Sequence, residues 1–224
     1  MISGWLVLLG LVMLIEWVAA GKRWIRLRVV TKPLSMLILI FIFFYLGGWK
    51  QPGYWFFLGL VFSLLGDIFL LMRSRFFVPG LFSFLFAHIF YIIGFSHGSI
   101  EWNLLAVVPL GIASLLILVA YPRIVGGIRR RLEHRRLWLP VVLYMVTITI
   151  MLLMAMLTWF RPIWNYPAVL MVSAGALSFT ISDTVLATGR FLRPVPYGNF
   201  LVMFTYHLGQ IGISFGALSM MGLL

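Results

Sequence analysis

The chain contains two aspartates, Asp67 and Asp183, and both lie inside long apolar runs. The first sits in FSLLGDIFLL (62–71) and the second in FTISDTVLAT (179–188). In each phrase a Phe–Ser/Thr start leads to Gly/Ser–Asp, and a leucine follows three residues later, Leu70 or Leu186. A carboxylate inside a bilayer is penalised by roughly 2.5–3.5 kcal/mol on insertion scales. Two of them in matching settings read as a catalytic or transporting pair. Two carboxylates in a poorly solvated pocket cannot both ionise cheaply, so together they offer a general acid and a general base. That chemistry suits acid-assisted hydrolysis of an ether or acetal-like bond, and it suits proton-coupled transport equally well.

Composition defines the setting. Of the 224 residues, 63% are hydrophobic and 10% are charged, against about 25% charged in soluble domains. The net charge of +12 does not point to nucleic acid, because the basic residues fall in short gaps between apolar runs. There are no cysteines, which excludes disulfides, Cys-ligated metals and thiol nucleophiles.

Eight apolar stretches approach or exceed the length that spans about 30 Å of hydrocarbon as a helix. They run over 2–20, 32–48, 54–72, 76–95, 103–121, 137–158, 167–188 and 200–222, separated by Pro- and Gly-containing gaps. The expected fold is all-α, a single polytopic membrane helical bundle occupying residues 1–224, because an open sheet cannot satisfy its backbone in lipid. The gaps after the first, third, fifth and seventh stretches hold 15 of the 17 Lys and Arg residues. By the positive-inside rule both termini then face away from the cytoplasm. No basic residue precedes the first apolar run, so that run reads as a spanning helix and not as a cleaved signal peptide. The expected location is the inner membrane of a bacterium, as a multi-pass protein.

The two halves repeat in a 4+4 pattern. Asp67 and Asp183 are 116 residues apart, as are Leu70 and Leu186, and each is followed one helix later by a histidine, His88 or His207. Both aspartates lie about five residues before the cytoplasmic end of their span, roughly 8 Å deep. Glu16, near the inner end of the first span, is at similar depth. Trp5, Trp49, Trp55, Trp102 and Trp164 fall near the outer boundary and read as interfacial anchors. The small residues Ser173 to Ala176 and Gly209, Gly212 and Gly216 read as a close contact between the last two helices. No HxxxH or HExxH spacing supports a metal site, and no phosphate loop or nucleotide fingerprint calls for a cofactor.

Several phrases together carry a family resemblance. They are Lys32-Pro33 before the second apolar run, FSLLGD ending at Asp67, FLFAHIFY with His88 and Tyr91, ISDTVLA with Asp183, and YHLGQ with Tyr206, His207 and Gln210. In this order and with this helix count the chain resembles the YhhN-like lysoplasmalogenase family of multi-span membrane proteins. The resemblance implies a hydrolase of the lysoplasmalogen vinyl ether, giving a fatty aldehyde and glycerophospho-ethanolamine or -choline. It implies Asp67 and Asp183 as the catalytic acid and base. Lys32, His88, Tyr91, Tyr206, His207, Gln210, Glu16 and Arg190 would contact the substrate, with Lys32, Arg73 and Arg190 holding the head group at the cytoplasmic surface. The partners are then a lysophospholipid and the surrounding membrane lipids. The competing readings are a proton-coupled transporter using the same aspartates and a metal-dependent membrane lipid hydrolase.

Overall fold

A computed structural model describes residues 2–72, 74–130 and 136–224. Arg73, named above for the head group, therefore lies outside the described residues. The described chain is all helical in its regular structure. The eight helices are α1 (Ile2–Lys22), α2 (Ile25–Tyr45), α3 (Tyr54–Leu71), α4 (Phe77–Phe95), α5 (Val107–Arg130), α6 (Trp138–Leu157), α7 (Tyr166–Phe191) and α8 (Gly198–Met220). All eight are long and apolar enough to cross a membrane, which makes this an integral multi-pass membrane protein. Leucines and valines such as Val7, Leu11, Leu14, Leu37, Leu115 and Leu118 are left exposed on the helix surfaces, as lipid contact requires.

Two spans depart from the sequence expectation in the same way. α2 begins at Ile25 and not at Lys32, and α5 runs to Arg130 and not to Tyr121, so Pro33 and Pro122 both sit inside helices. In lipid a broken helix exposes several unsatisfied backbone groups, whereas continuing through a proline forfeits one. The α1–α2 connection needs only Arg23 and Trp24. Arg23 adopts a left-handed backbone with φ 57°, and the Trp24 N–H closes the end of α1 on the Ala19 carbonyl at 2.9 Å. Lys32 is thereby carried into the second turn of a helix, where its side chain can be buried.

Sequential helices pack as neighbours, α1 on α2, α3 on α4, α5 on α6 and α7 on α8. Across these pairs, α4 packs on α6, α8 on α1, α2 and α3, and α7 on α5 and α6. The main core gathers Met13, Leu39, Phe56, Tyr91, Met151, Phe179 and Tyr206 from seven of the eight helices. A smaller cluster of Phe77, Ile124, Ile128, Val141, Met145 and Phe191 joins α5 to the ends of α4, α6 and α7.

The tightest contact is α7 on α8. A Cβ added at Gly175 would meet the Ile213 nitrogen at 2.7 Å and the Gly212 carbon at 2.9 Å, so the two backbones touch where both chains carry glycine. This is the close approach expected of small residues in membrane helices. Asn165 staples the far end of the pair: it caps α7 by accepting from Ala168 N–H at 2.8 Å, and its amide donates to the Ser219 carbonyl at 2.7 Å. Nearby, buried Arg161 donates to the carbonyls of Ser96 and Gly98 and pins the α4–α5 loop against the α6–α7 loop. Trp164 is not an interfacial anchor. It is 5% exposed and packs on Phe56 and Phe95, because the α6–α7 loop folds inward over the core.

Replacing Gly175 by valine will force α7 and α8 apart and lower stability by about 1–3 kcal/mol. Gly10→Val, at a position with nothing within 4 Å, will leave it unchanged. Thermal unfolding of both variants in detergent measures the difference.

Candidate functional site

Two polar networks are buried in the bundle, one around each aspartate. The first is built on α2. Placing Lys32 in the helix puts it one turn from Ser35, and both side chains face inward. The Lys32 Nζ lies 2.9 Å from Asp67 Oδ1, with 9% and 1% of the two side chains exposed. Tyr206 on α8 donates to the other carboxylate oxygen at 2.7 Å. Asp67 is therefore an ion pair with a phenol cap, and three helices meet at it.

His207 extends this network. The Trp17 indole N–H donates to His207 Nδ1 at 2.9 Å, and Ser35 Oγ lies 3.0 Å from Nε2. An indole nitrogen can only donate, so Nδ1 must be the bare nitrogen and Nε2 carries the proton toward Ser35. On the opposite side Tyr91 donates to Gln210 Oε1 at 2.7 Å, and the Gln210 amide nitrogen is buried with no hydrogen-bond partner among the described residues. A Cβ at Gly59 would lie 2.2 Å from the Tyr91 ring, so this glycine makes room for the tyrosine.

The second network is smaller. Tyr144 on α6 donates to Asp183 Oδ2. Its hydroxyl lies 2.9 Å from His88 Nε2, and the same nitrogen is 3.7 Å from Asp183 Oδ2. Since the tyrosine proton goes to the carboxylate, His88 donates from Nε2 to the phenol oxygen. His88 Nδ1 is then an acceptor, and it is buried without a partner among the described residues. The order His88–Tyr144–Asp183 is a chain of hydrogen bonds that ends on a carboxylate.

The surroundings of the two carboxylates differ. Asp67 is sealed, whereas the Asp183 side chain is 16% exposed and lines a cleft between α4, α5, α6 and α7. The cleft has about 70 Å³ of free volume, and its wall is apolar apart from Asp183, Tyr144, Tyr121, Arg190 and three threonines. Phe84, Phe179 and Tyr206 are in mutual ring contact, and Phe179 also lies edge-on to His88 at 4.8 Å, forming an aromatic wall shared by the two networks.

The structure brings Lys32, Asp67, Tyr206, His207, Tyr91 and Gln210 into one region and His88 and Asp183 into another. The two aspartates occupy separate hydrogen-bond networks, and the arrangement of a single desolvated carboxylate pair gives way to one paired acid and one cleft acid. The reason is Lys32, which a helical α2 delivers to Asp67. For the same reason Lys32 is not a surface residue holding a head group. Glu16 is fully buried and is taken up by Arg28 at 2.9 Å and by Thr31, fastening α1 to the basic start of α2. Arg190 lies at the cleft, its guanidinium 3.7 Å above the Phe77 ring. Among the described residues no three His, Asp or Glu side chains come together as metal ligands.

Tyr144, Trp17 and Ser35 were not expected. Tyr144 did carry a signal. Adding the 116-residue repeat to Lys32 gives position 148, and Tyr144 is the polar side chain one helical turn before it.

Lys32→Met leaves a buried uncompensated carboxylate and will cost about 3–5 kcal/mol of stability. Adding Asp67→Asn, which still accepts from Tyr206, will restore most of that loss. Thermal unfolding of the single and double variants decides it; a double variant no more stable than Lys32→Met would show that the pair is not what holds these helices.

The YhhN family model matches residues 27–217. Lysoplasmalogenase TMEM86A of Homo sapiens is 30% identical over 169 residues, 72% of this chain and 64% of that protein. Lysoplasmalogenase TMEM86B of Homo sapiens is 31% identical over 159 residues, 71% of this chain and 61% of that protein. The chain thus spans less than two thirds of the length of these human relatives. Lysoplasmalogenase TMEM86B of Mus musculus is 28% identical over 211 residues, 92% of this chain and 82% of that protein. No solved structure matches the chain. A family match that runs from the first turn of α2 nearly to the end of α8 includes both aspartates and the side chains that meet them directly, and the chain belongs to the YhhN family.

Proposed function

We propose that this protein is an intramembrane hydrolase that cleaves the vinyl-ether bond of lysoplasmalogens, releasing a fatty aldehyde and a glycerophospho-ethanolamine or -choline. The observation that carries the reading is a carboxylic acid, Asp183, set in the wall of an apolar cleft and backed by Tyr144 and His88. The names of the relatives support the same substrate.

The alkenyl chain lies in the cleft with its vinyl ether at Asp183. The reaction begins with transfer of a proton from the Asp183 carboxyl to the β-carbon of the C=C bond, and the ether oxygen shares the positive charge left on the α-carbon. The Asp183 carboxylate then faces that oxocarbenium ion and stabilises it. Water adds to the α-carbon and loses a proton to the carboxylate. The resulting hemiacetal breaks its C–O bond to the glycerol as Asp183 gives its proton to the departing glycerol oxygen and takes the hemiacetal hydroxyl proton in exchange, giving aldehyde and alcohol, with Tyr144 and His88 holding the carboxyl in place. Acid–base work of this kind contributes about 10²–10⁴-fold. Asp67 is the second acid of the site. Held by Lys32, it positions Tyr206 and through it the aromatic wall behind His88.

The 4+4 repeat also fits these contacts. Asp67 is met from the preceding helix, α2, and from the last helix of the other half, α8. Asp183 is met from α6 and α4, its equivalents. With the basic turns inside, as the charge bias favours, both acids belong to the cytoplasmic leaflet of a bacterial inner membrane.

Purified protein given a lysoplasmalogen will release fatty aldehyde. Asp183→Asn will lower the rate at least about 100-fold and Tyr144→Phe about 10-fold or more. Absence of aldehyde from folded wild-type protein would turn the same residues to proton-coupled transport.

A further inference from the structure

The cleft at Asp183 has a polar neighbour. Between the end of α1, the end of α7 and the start of α8 lies a second cavity of about 530 Å³, lined by Arg23, Leu186, Gly189, Arg190 and Asn199 among others. Leu186 and Arg190 line both cavities, so the two adjoin across one turn of α7. The pair forms an amphiphilic site, apolar on the α5 side and polar on the α8 side, with Asp183 near the boundary.

The charge in this vestibule is uncompensated. Among the described residues neither Arg23 nor Arg190 is met by a carboxylate, and Arg190 Nε is buried with no hydrogen-bond partner. The Arg190 Cζ lies 3.7 Å from the centre of the Phe77 ring, a contact that uses none of the guanidinium hydrogens and leaves them for a ligand. Arg23 stands at the left-handed turn that ends α1. Asn199 stands in the first turn of the 23-residue α8, where unpaired N–H groups add positive potential. Gly189 keeps the wall open, since a Cβ there would meet nothing within 4 Å.

From this geometry we infer that the vestibule is an anion subsite for the phosphodiester of a single-chain phospholipid, with Arg190 and Arg23 as its two cations and the lipid chain in the adjoining cleft. The inference rests on the hydrolase reading for its substrate, but its chemistry is binding and needs no turnover. It makes Arg190 the hinge of specificity, touching apolar chain on one side and phosphate on the other.

The test uses full-length protein in detergent and two non-cleavable ligands of equal chain length, an alkyl-ether lysophosphatidylcholine and an alkylglycerol without phosphate. Wild type will bind the phospholipid more tightly than the alkylglycerol. Arg190→Gln and Arg23→Asn will each weaken phospholipid binding about 10-fold or more, the loss of a charge-assisted hydrogen bond, and weaken alkylglycerol binding far less. Asn tolerates the left-handed backbone, so Arg23→Asn removes charge without straining the turn. Gly189→Met, which fills the vestibule and improves helix propensity, will have the same selective effect. Equal weakening of both ligands, or equal wild-type affinity for them, would overturn the proposal. So would displacement of the phospholipid by inorganic phosphate alone at equal concentration, which would mark a site for free anions. If head-group-selective binding is found where no aldehyde is released, the failure belongs to the reaction and not to the subsite.

Discussion

The ion pair between Lys32 and Asp67 is the interaction on which the rest of the bundle depends. It joins α2 to α3 in a region from which water is excluded, and Tyr206 brings α8 to the same point. Once those three helices are fixed, the residues that follow from them are fixed as well. Ser35 meets His207, His207 meets Trp17 on α1, and Phe84 and Phe179 close around Tyr206. A buried pair of this kind adds little net stability over an apolar replacement, and its value is in specifying one arrangement of helices. Here that arrangement sets one side of the aromatic wall, and the other side touches His88.

The second aspartate depends on a different balance. Asp183 has a phenol and an imidazole for company and an apolar cleft in front of it. The glycine contact of α7 with α8 leaves α7 little freedom to rotate, so Asp183 is held by backbone packing as much as by hydrogen bonds. α5, by contrast, buries few of its residues and closes the cleft with Ala120, Tyr121 and Ile124. A rigid face carries the acid and a lightly packed helix covers it.

Much of this was legible in the sequence. Eight spans follow from hydropathy, because lipid leaves a chain few alternatives to helix. The two aspartates declare themselves through the penalty of burying them. The small residues of α7 and α8 give away their contact. What was not legible depended on which groups meet between helices. Lys32 beside a proline reads as an interfacial residue until α2 is seen to start seven residues earlier, at Ile25. Its pairing with Asp67 spans two helices and has no local signature. Tyr144 shares its apolar run with Thr147 and Thr149, and only its place in the repeat, one turn before the counterpart of Lys32, sets it apart. Trp164 looked interfacial because its loop folds inward only in three dimensions.

The order in which the partners occur along the chain has a consequence for assembly. Lys32 precedes Asp67 on the adjacent helix, and His88 and Tyr144 both precede Asp183. Chains emerge and insert from the amino terminus. Both aspartates therefore enter a membrane that already holds groups that will neutralise or solvate them. Each aspartate thus meets its first partner on insertion, whereas Glu16 on α1 is met by Arg28 and Thr31 of the helix that follows it. Tyr206 and His207 come last, on α8, and their arrival locks a bundle whose charges are already matched.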